Sequence, residues 1–366
     1  MLECSACGRA YEDRWRCECG GPLDFADRAL PDGPPDVDPR EGLWAFREFL
    51  PVPERVTLGE GWTPLVDAPD WDASFKLEYV FPTGSFKDRG ATTTLSWAAA
   101  RGVERVLEDS SGNAGAAVAT YAARAGIPAE IYVPAGVKES KLRAITRAGA
   151  EVVRVEGDRQ AVTDACVAAV GRGDGWYASH AWNPAFFAGT ATFAYEVAAQ
   201  RDWSVPDAVV TPLGHGTLFL GAYRGFRALA DAGWTDRVPR LLGAQAAGYA
   251  PIAAGRRGGT NRTDGDENDE AGDGPAGTND VADGIQIQNP VRESQIEEAI
   301  DATDGDAIAL GETAVADALD RLHERGFYVE PTSAVGPAAL ETYRERGVLD
   351  PGDDVVVPLT GSGLKG

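Results

Sequence analysis

"RVLEDSSGNAGAAVATYAARAG" (residues 105–126) changes character twice. A short apolar run reads as a buried strand, and Ser110-Ser111-Gly112-Asn113 follows as a loop. An alanine-rich amphipathic stretch then closes on a glycine, as helices commonly do. The same sentence is repeated downstream: "AEIYVP" leads to "KESKLRAITRAG", "EVVRV" to "RQAVTDACVAAVGRG", and "DAVVTP" to "TLFLGAYRGFRALADAG". Strands alternating with helical stretches of this length predict an α/β fold, with parallel strands joined by crossover helices.

With 366 residues, 43% of them hydrophobic, the chain is long enough for about two domains with sizeable cores. The formal charge of −23 argues against a nucleic-acid or anionic-membrane partner, because phosphates would be repelled. Arginine outnumbers lysine heavily within this acidic balance. That fits a salt-rich cytoplasm in which screening blunts carboxylate repulsion, although an ordinary acidic protein has the same arithmetic. No basic start with an apolar run opens the chain, and no stretch approaches a membrane-spanning length. A soluble, cytoplasmic protein is expected.

Cys4, Cys7, Cys17 and Cys19 fall within the first twenty residues, flanked by turn glycines. Two close pairs on a hairpin suit a tetrahedral, structural zinc knuckle over residues 1–27. Two disulfides are the alternative, disfavoured in a reducing cytosol. Cys166 has apolar neighbours at helical spacing and reads as a buried thiol. A Pro/Asp-rich connector, "LPDGPPDVDPRE" (residues 30–41), follows the knuckle. Residues 256–284 are glycine- and aspartate-rich without periodicity. They lack the ligand spacing of a calcium loop and read as a solvated acidic insertion.

In open α/β sheets, ligands gather beyond the carboxyl ends of strands. Three such junctions stand out. Ser110, Ser111 and Gly112 let backbone N–H groups approach an anion closely, with Asn113 able to donate beside them; a simple helix cap is the plain alternative. Gly214-His215-Gly216-Thr217 opens a second helix and suits a phosphate, but lacks the lysine of a nucleotide P-loop. His215 is either catalytic or a phosphate-binding or water-binding loop residue. Thr360-Gly361-Ser362-Gly363 ends a strand, where a hydroxyl can meet a heteroaromatic nitrogen or simply close a turn. Lysine is scarce, yet Lys87 sits in a small, hydroxyl-bearing turn, "PTGSFKDRG" (residues 82–90). A lysine amine, two anion cradles and a strand-end hydroxyl together match pyridoxal phosphate, which needs a desolvated amine and its own anion pocket.

These motifs resemble those of the β-family, fold type II, pyridoxal-phosphate enzymes, and most closely the threonine synthases, along nearly the whole chain. "LGEGWTPL" (residues 58–65) is similar to the segment leading their catalytic domain. "PTGSFKDRG" resembles their cofactor-lysine motif, which makes Lys87 the lysine that bonds the cofactor aldehyde and the catalytic residue. The resemblance implies that Asn113 contacts the cofactor's ring oxygen and that Ser110, Ser111 and Gly112 hold the substrate carboxylate. It further implies that Gly214, His215, Gly216 and Thr217 cradle the cofactor phosphate, while Thr360 faces the pyridine nitrogen. "EPTSA" (residues 330–334) and "LTGSGLKG" (residues 359–366) resemble the closing motifs. An N-terminal cysteine knuckle also occurs in some members.

The implied architecture is a two-domain fold of the tryptophan synthase β type. Residues 28–92 and 182–366 form the large cofactor-binding domain, and residues 93–181 form the small α/β domain. The implied reaction converts O-phosphohomoserine and water to threonine and phosphate. The partner is then a small amino-acid substrate, and assembly as a homo-oligomer stays open. Four positions depart from the threonine synthase pattern. Ala114 replaces a threonine, and His215 and Thr217 replace an asparagine and a glycine. In "WNPAFFAGTATFAYE" (residues 182–196), Phe186 stands where an arginine usually grips the substrate phosphate. Losing that contact removes roughly 1.5–3 kcal/mol. The departures therefore keep two alternatives in view: a threonine or serine ammonia-lyase or β-replacement enzyme, and, more remotely, a non-catalytic binding module.

Overall fold

The computed structural model describes residues 1–26, 30–259 and 278–365. The middle of the acidic insertion, residues 260–277, lies outside the described residues.

The N-terminal unit is a small antiparallel sheet of β1 (Leu2–Cys4), β2 (Ala10–Tyr11) and β3 (Leu23–Phe25), in the order β2-β1-β3. A 3-10 segment, Pro39–Phe49, follows; the Asp38 side chain caps it by accepting from Arg40 N–H. Leu2, Cys4, Cys17 and Leu23 pack with Leu43, Trp44, Leu50, Val52 and Trp97, so the knuckle shares a core with the connector.

Next come β4 (Leu65–Ala68), β5 (Ala73–Lys76) and helix α1 (Lys87–Ala100). Four strands then alternate with helices: β6 (Val106–Glu108), α2 (Asn113–Ala125), β7 (Ala129–Pro134), α3 (Glu139–Arg147), β8 (Glu151–Val155), α4 (Arg159–Arg172) and β9 (Trp176–Tyr177). They make a four-stranded sheet in the order β8-β7-β6-β9, and every pairing is parallel. "AEIYVP" and "EVVRV" are β7 and β8 residue for residue.

The rest of the chain builds the larger sheet. Its elements are α5 (Pro184–Ala199), β10 (Ala208–Pro212), α6 (Thr217–Asp231), β11 (Arg240–Ala246), α7 (Pro251–Gly259), α8 (Glu293–Ala302), β12 (Asp306–Leu310), α9 (Glu312–Glu324), α10 (Pro331–Glu345) and β13 (Val355–Pro358). The order is β12-β11-β10-β13-β5-β4, parallel except for the edge strand β4. Central β13, Val-Val-Val-Pro, is buried throughout, as a strand covered on both faces should be. The α/β class read from the sequence is therefore observed. Among the described residues, no helix is long and apolar enough to cross a membrane.

One buried cluster fixes α1 against the large sheet. Arg89 donates through Nε to Glu78 Oε2 (2.7 Å) and through Nη1 to Glu196 Oε1 (2.6 Å). Lys76 Nζ donates to Glu196 Oε2 at 2.9 Å. All four side chains are fully buried, and two cations balance two carboxylates. Charges so far from water persist only when paired this completely. Because Arg89 is two residues after Lys87, the network anchored on β5 and α5 also sets where that lysine begins its helix.

Candidate active site

The two parallel sheets direct their strand ends toward one cavity of about 140 Å³. Lys87, Ser110, Ser111, Gly112, Asn113, Gly214, His215, Gly216, Thr217 and Thr360 all line it. Every residue given a cofactor or substrate role in the sequence analysis is thus in one place. Larger clefts exist, including one of about 490 Å³ beside the knuckle, but they lack this convergence of amine, hydroxyls and glycine-rich helix starts.

Two helices that open on this cavity are led by glycine and have no side-chain cap. The N-cap of α2 is Gly112 and that of α6 is Gly216, and neither first turn has a capping side chain. α1 and α10 also start at the cavity uncapped, behind Phe86 and Glu330, whereas Asp158 caps α4 and Asn183 caps α5. A helix's first N–H groups have no intrahelical acceptor, so an uncapped start offers them, with the positive end of the dipole, to an anion. Gly216 has φ +74, and a Cβ there would lie 2.7 Å from Ile296 Cδ1, which restricts the position to glycine. In the first turn of α2, a Cβ at Gly115 would lie 1.8 Å from the carbonyl oxygen of Ser110, so the loop closes tightly on the helix start.

Lys87 is the first residue of α1, with Nζ 3.8 Å from the centroid of the Phe86 ring. Burial pushes its amine down to about 8. Glu330 and Glu108 oppose that shift, while Lys365 and Arg159 reinforce it. A neutral amine is therefore accessible near physiological pH, as nucleophilic chemistry at nitrogen requires. Asn113 is held at both ends of its amide: Nδ2 donates to Glu330 Oε1 (2.8 Å), and Oδ1 accepts from Lys365 Nζ (2.8 Å). Thr360 Oγ1 lies 3.1 Å from Ser333 Oγ.

Several lining groups were not singled out from the sequence. His180 Nδ1 lies 2.7 Å from Glu108 Oε1, and His180 N–H donates to Glu108 Oε2 (3.2 Å). Burial and then the Asp109 carboxylate push the Glu108 acid well above the usual range; burial and then His215 hold the His180 imidazole neutral. Arg159 and Lys141 enter from the starts of α4 and α3. Arg159 Nη2 meets His215 Nε2 at 3.4 Å, and Lys141 pairs with Asp283. The available signal for Arg159 was "EVVRVEGDRQAV", a fourth strand–loop–helix junction.

Phe186 is on α5, fully buried, with its ring over Gly90 of α1; a Cβ at Gly90 would lie 2.2 Å from that ring. Position 186 therefore serves helix packing rather than the cavity lining.

A sequence profile described as "Pyridoxal-phosphate dependent enzyme" matches residues 56–361. The chain belongs to the pyridoxal-phosphate dependent enzyme family. It is similar to the threonine synthase of Methanocaldococcus jannaschii, 32% identical across 100% of this chain and 93% of that protein. The threonine synthase of Methanosarcina acetivorans is 32% identical across 100% of this chain and 92% of that protein. Among solved structures, the fungal L-serine ammonia-lyase from Rhizomucor miehei has a TM-score of 0.67 at 24% identity, covering 82% of this chain and 93% of its own. Maize serine racemase has a TM-score of 0.66 at 23% identity, covering 82% and 88%. These two share the fold.

The residues present fit the family's cofactor. An anionic phosphate suits the uncapped start of α6, where His215 Nδ1 is buried without a hydrogen-bond partner. An aldehyde suits a lysine amine that burial has made less basic. At the other end of the chain, the Sγ atoms of Cys4, Cys7, Cys17 and Cys19 lie within 4.8 Å of one another, a donor set able to hold a metal ion. All four are free thiols, so the disulfide alternative is not what the structure shows.

Proposed function

We propose that this chain catalyses the threonine synthase reaction, converting O-phosphohomoserine and water to threonine and phosphate. The observation that carries the reading is the Lys87 amine standing in one cavity between two uncapped, glycine-led helix starts. Full-length similarity to threonine synthases supports it.

Pyridoxal phosphate, when bound, supplies the electron sink that stabilises negative charge at the substrate's Cα. Lys87 would hold its aldehyde, residues 214–217 its phosphate, Asn113 its ring oxygen and Thr360 its ring nitrogen. The backbone of Ser110, Ser111 and Gly112 binds the substrate carboxylate and orients Cα toward Lys87. The Lys87 amine, freed when the substrate's amino group takes its place, would take the Cα proton and pass it on, then take a Cβ proton as phosphate leaves Cγ. Protons return to Cγ and, after water adds its hydroxyl at Cβ, to Cα, while the water's other proton goes to the departing phosphate. Thr360, an uncharged hydroxyl, donates no full positive charge to the ring, which favours elimination and replacement over transamination.

We also read the cysteine cluster as a structural zinc site, since four sulfur ligands leave no open position for substrate. The four-stranded sheet and its helices make the small domain over residues 93–181, and the acidic balance marks a protein adapted to concentrated salt and a cytoplasmic setting.

The test is phosphate and threonine production from O-phosphohomoserine by purified, cofactor-loaded protein in high salt, beside keto-acid release from threonine. Both products from the ester support the reading. Keto acid without phosphate replaces it with an ammonia-lyase.

A further inference from the structure

We propose that Arg159, flanked by His180 and His215, holds the terminal phosphate of the substrate in place of the guanidinium that position 186 lacks. The proposal rests on the O-phosphohomoserine reading above.

A phosphomonoester brings close to two negative charges, and recognition of such a group normally uses a cation with several N–H donors. Phe186 supplies none, because its ring is buried over Gly90 and a longer charged side chain would have to displace that packing. Among the described residues, three cationic side chains line the cavity: Lys87, Lys141 and Arg159. Lys87 is committed to the cofactor aldehyde. Lys141 is paired with Asp283. Arg159 makes no ion pair with a carboxylate among the described residues, and its one hydrogen bond there is to a histidine.

That contact has a direction. A guanidinium only donates, so His215 Nε2 must accept, and the ring proton is then on Nδ1. Nδ1 is the atom left buried without a partner, and it becomes a donor for the cradle at the start of α6. Arg159 thereby serves the cofactor cradle only through His215, and it keeps four N–H groups of its own. The His180 ring lies 5.4 Å from the His215 ring, with Nδ1 taken by Glu108 and its other nitrogen left for the cavity.

The two phosphates are thus divided by what each must do. The cofactor phosphate stays, and meets fixed backbone N–H groups at the buried start of α6. The substrate phosphate departs as product in every turnover. It meets an exposed arginine at the rim, on the helix that follows β8 in the small sheet.

The experiment compares the holoenzyme with its Arg159→Gln and Arg159→Lys variants. Binding of O-phosphohomoserine and of homoserine is followed through the cofactor absorbance, inorganic phosphate is tested as a competitor, and cofactor affinity is measured by fluorescence on apoprotein. Arg159→Gln should weaken the ester about tenfold to a hundredfold, the worth of a hydrogen bond to a charged group. It should abolish competition by phosphate and leave homoserine affinity unchanged, with cofactor affinity falling by less than the ester's as His215 loses its partner, and with Arg159→Lys intermediate. Equal weakening of both ligands overturns the proposal, as does a loss of cofactor affinity with phosphate competition intact. Arg159-dependent binding of the ester without phosphate release supports the anion site and refutes the reaction. Unimpaired phosphate release by Arg159→Gln overturns the site and leaves the reaction standing.

Discussion

Lys365 Nζ donates to Asn113 Oδ1 across 2.8 Å, tying the end of the chain to the first residue of α2. Glu330 accepts from the other end of the same amide at 2.8 Å. An ammonium on the oxygen and a carboxylate on the nitrogen leave one amide orientation, with a single Nδ2 hydrogen free. Asn113 is thus pre-aligned as a donor by two charged residues distant in sequence.

Removing the ammonium should release that alignment. Lys365→Met is expected to weaken cofactor binding about tenfold to thirtyfold, the lower part of the range for a hydrogen bond to a charged group. The change should also shift the bound cofactor's absorption maximum. Fluorescence titration of apoprotein measures the first and a visible spectrum the second; an unchanged affinity and spectrum would remove Lys365 from the site.

Cofactor capture should depend on pH through Lys87. Its amine is pushed down to about 8, so the neutral, nucleophilic form dominates above that value and the ammonium below it. The rate of incorporation should level off above pH about 8 and fall about tenfold for each unit below it. Lys87→Ala should give no borohydride-trapped adduct on the chain by mass spectrometry. A trapped adduct on another lysine would refute the assignment.

Restoring the family's arginine at position 186 should not restore phosphate recognition. The Phe186 ring fills the space over Gly90 and is fully buried, so a guanidinium there would be unpaired and away from water. Phe186→Arg is expected to cost about 3 kcal/mol or more. Denaturant unfolding reads the stability, and ester binding should show no gain; tighter binding with intact stability would mean that the position reaches the cavity.

How much of this was legible follows from range. Strands and crossovers show themselves through local periodicity, so β7 and β8 matched their sequence runs. That the glycine-led junctions would meet at one cavity was legible because the strand ends of parallel sheets gather around ligands. Arg159 and Lys141 were not, because a charged residue in a helix's first turns looks the same on a surface as at a cavity rim. The Glu108–His180 pair spans 72 residues, and the Lys76–Glu196 pair 120, so neither leaves a local trace. The arginine absent at 186 was visible; that its replacement faces a helix and not the cavity was not.

The cysteine cluster makes the last prediction. Cys4 and Cys19 sulfurs are 3.5 Å apart, as are those of Cys7 and Cys17, with no bond within either pair. Four thiolates this close repel one another unless a cation sits among them, and zinc prefers such a sulfur set. Elemental analysis should find about one zinc per chain, with all four ligands from protein. Chelation should lower the melting temperature, because Leu2, Cys4, Cys17 and Leu23 share a core with Trp44 and Trp97. The cofactor's visible band should survive at temperatures below that transition, since the knuckle contributes no residue to the cavity beside Lys87 among the described residues. Loss of the band on chelation while the fold persists would tie the metal to catalysis instead, and metal-free protein with unchanged melting would leave the four thiols without a ligand.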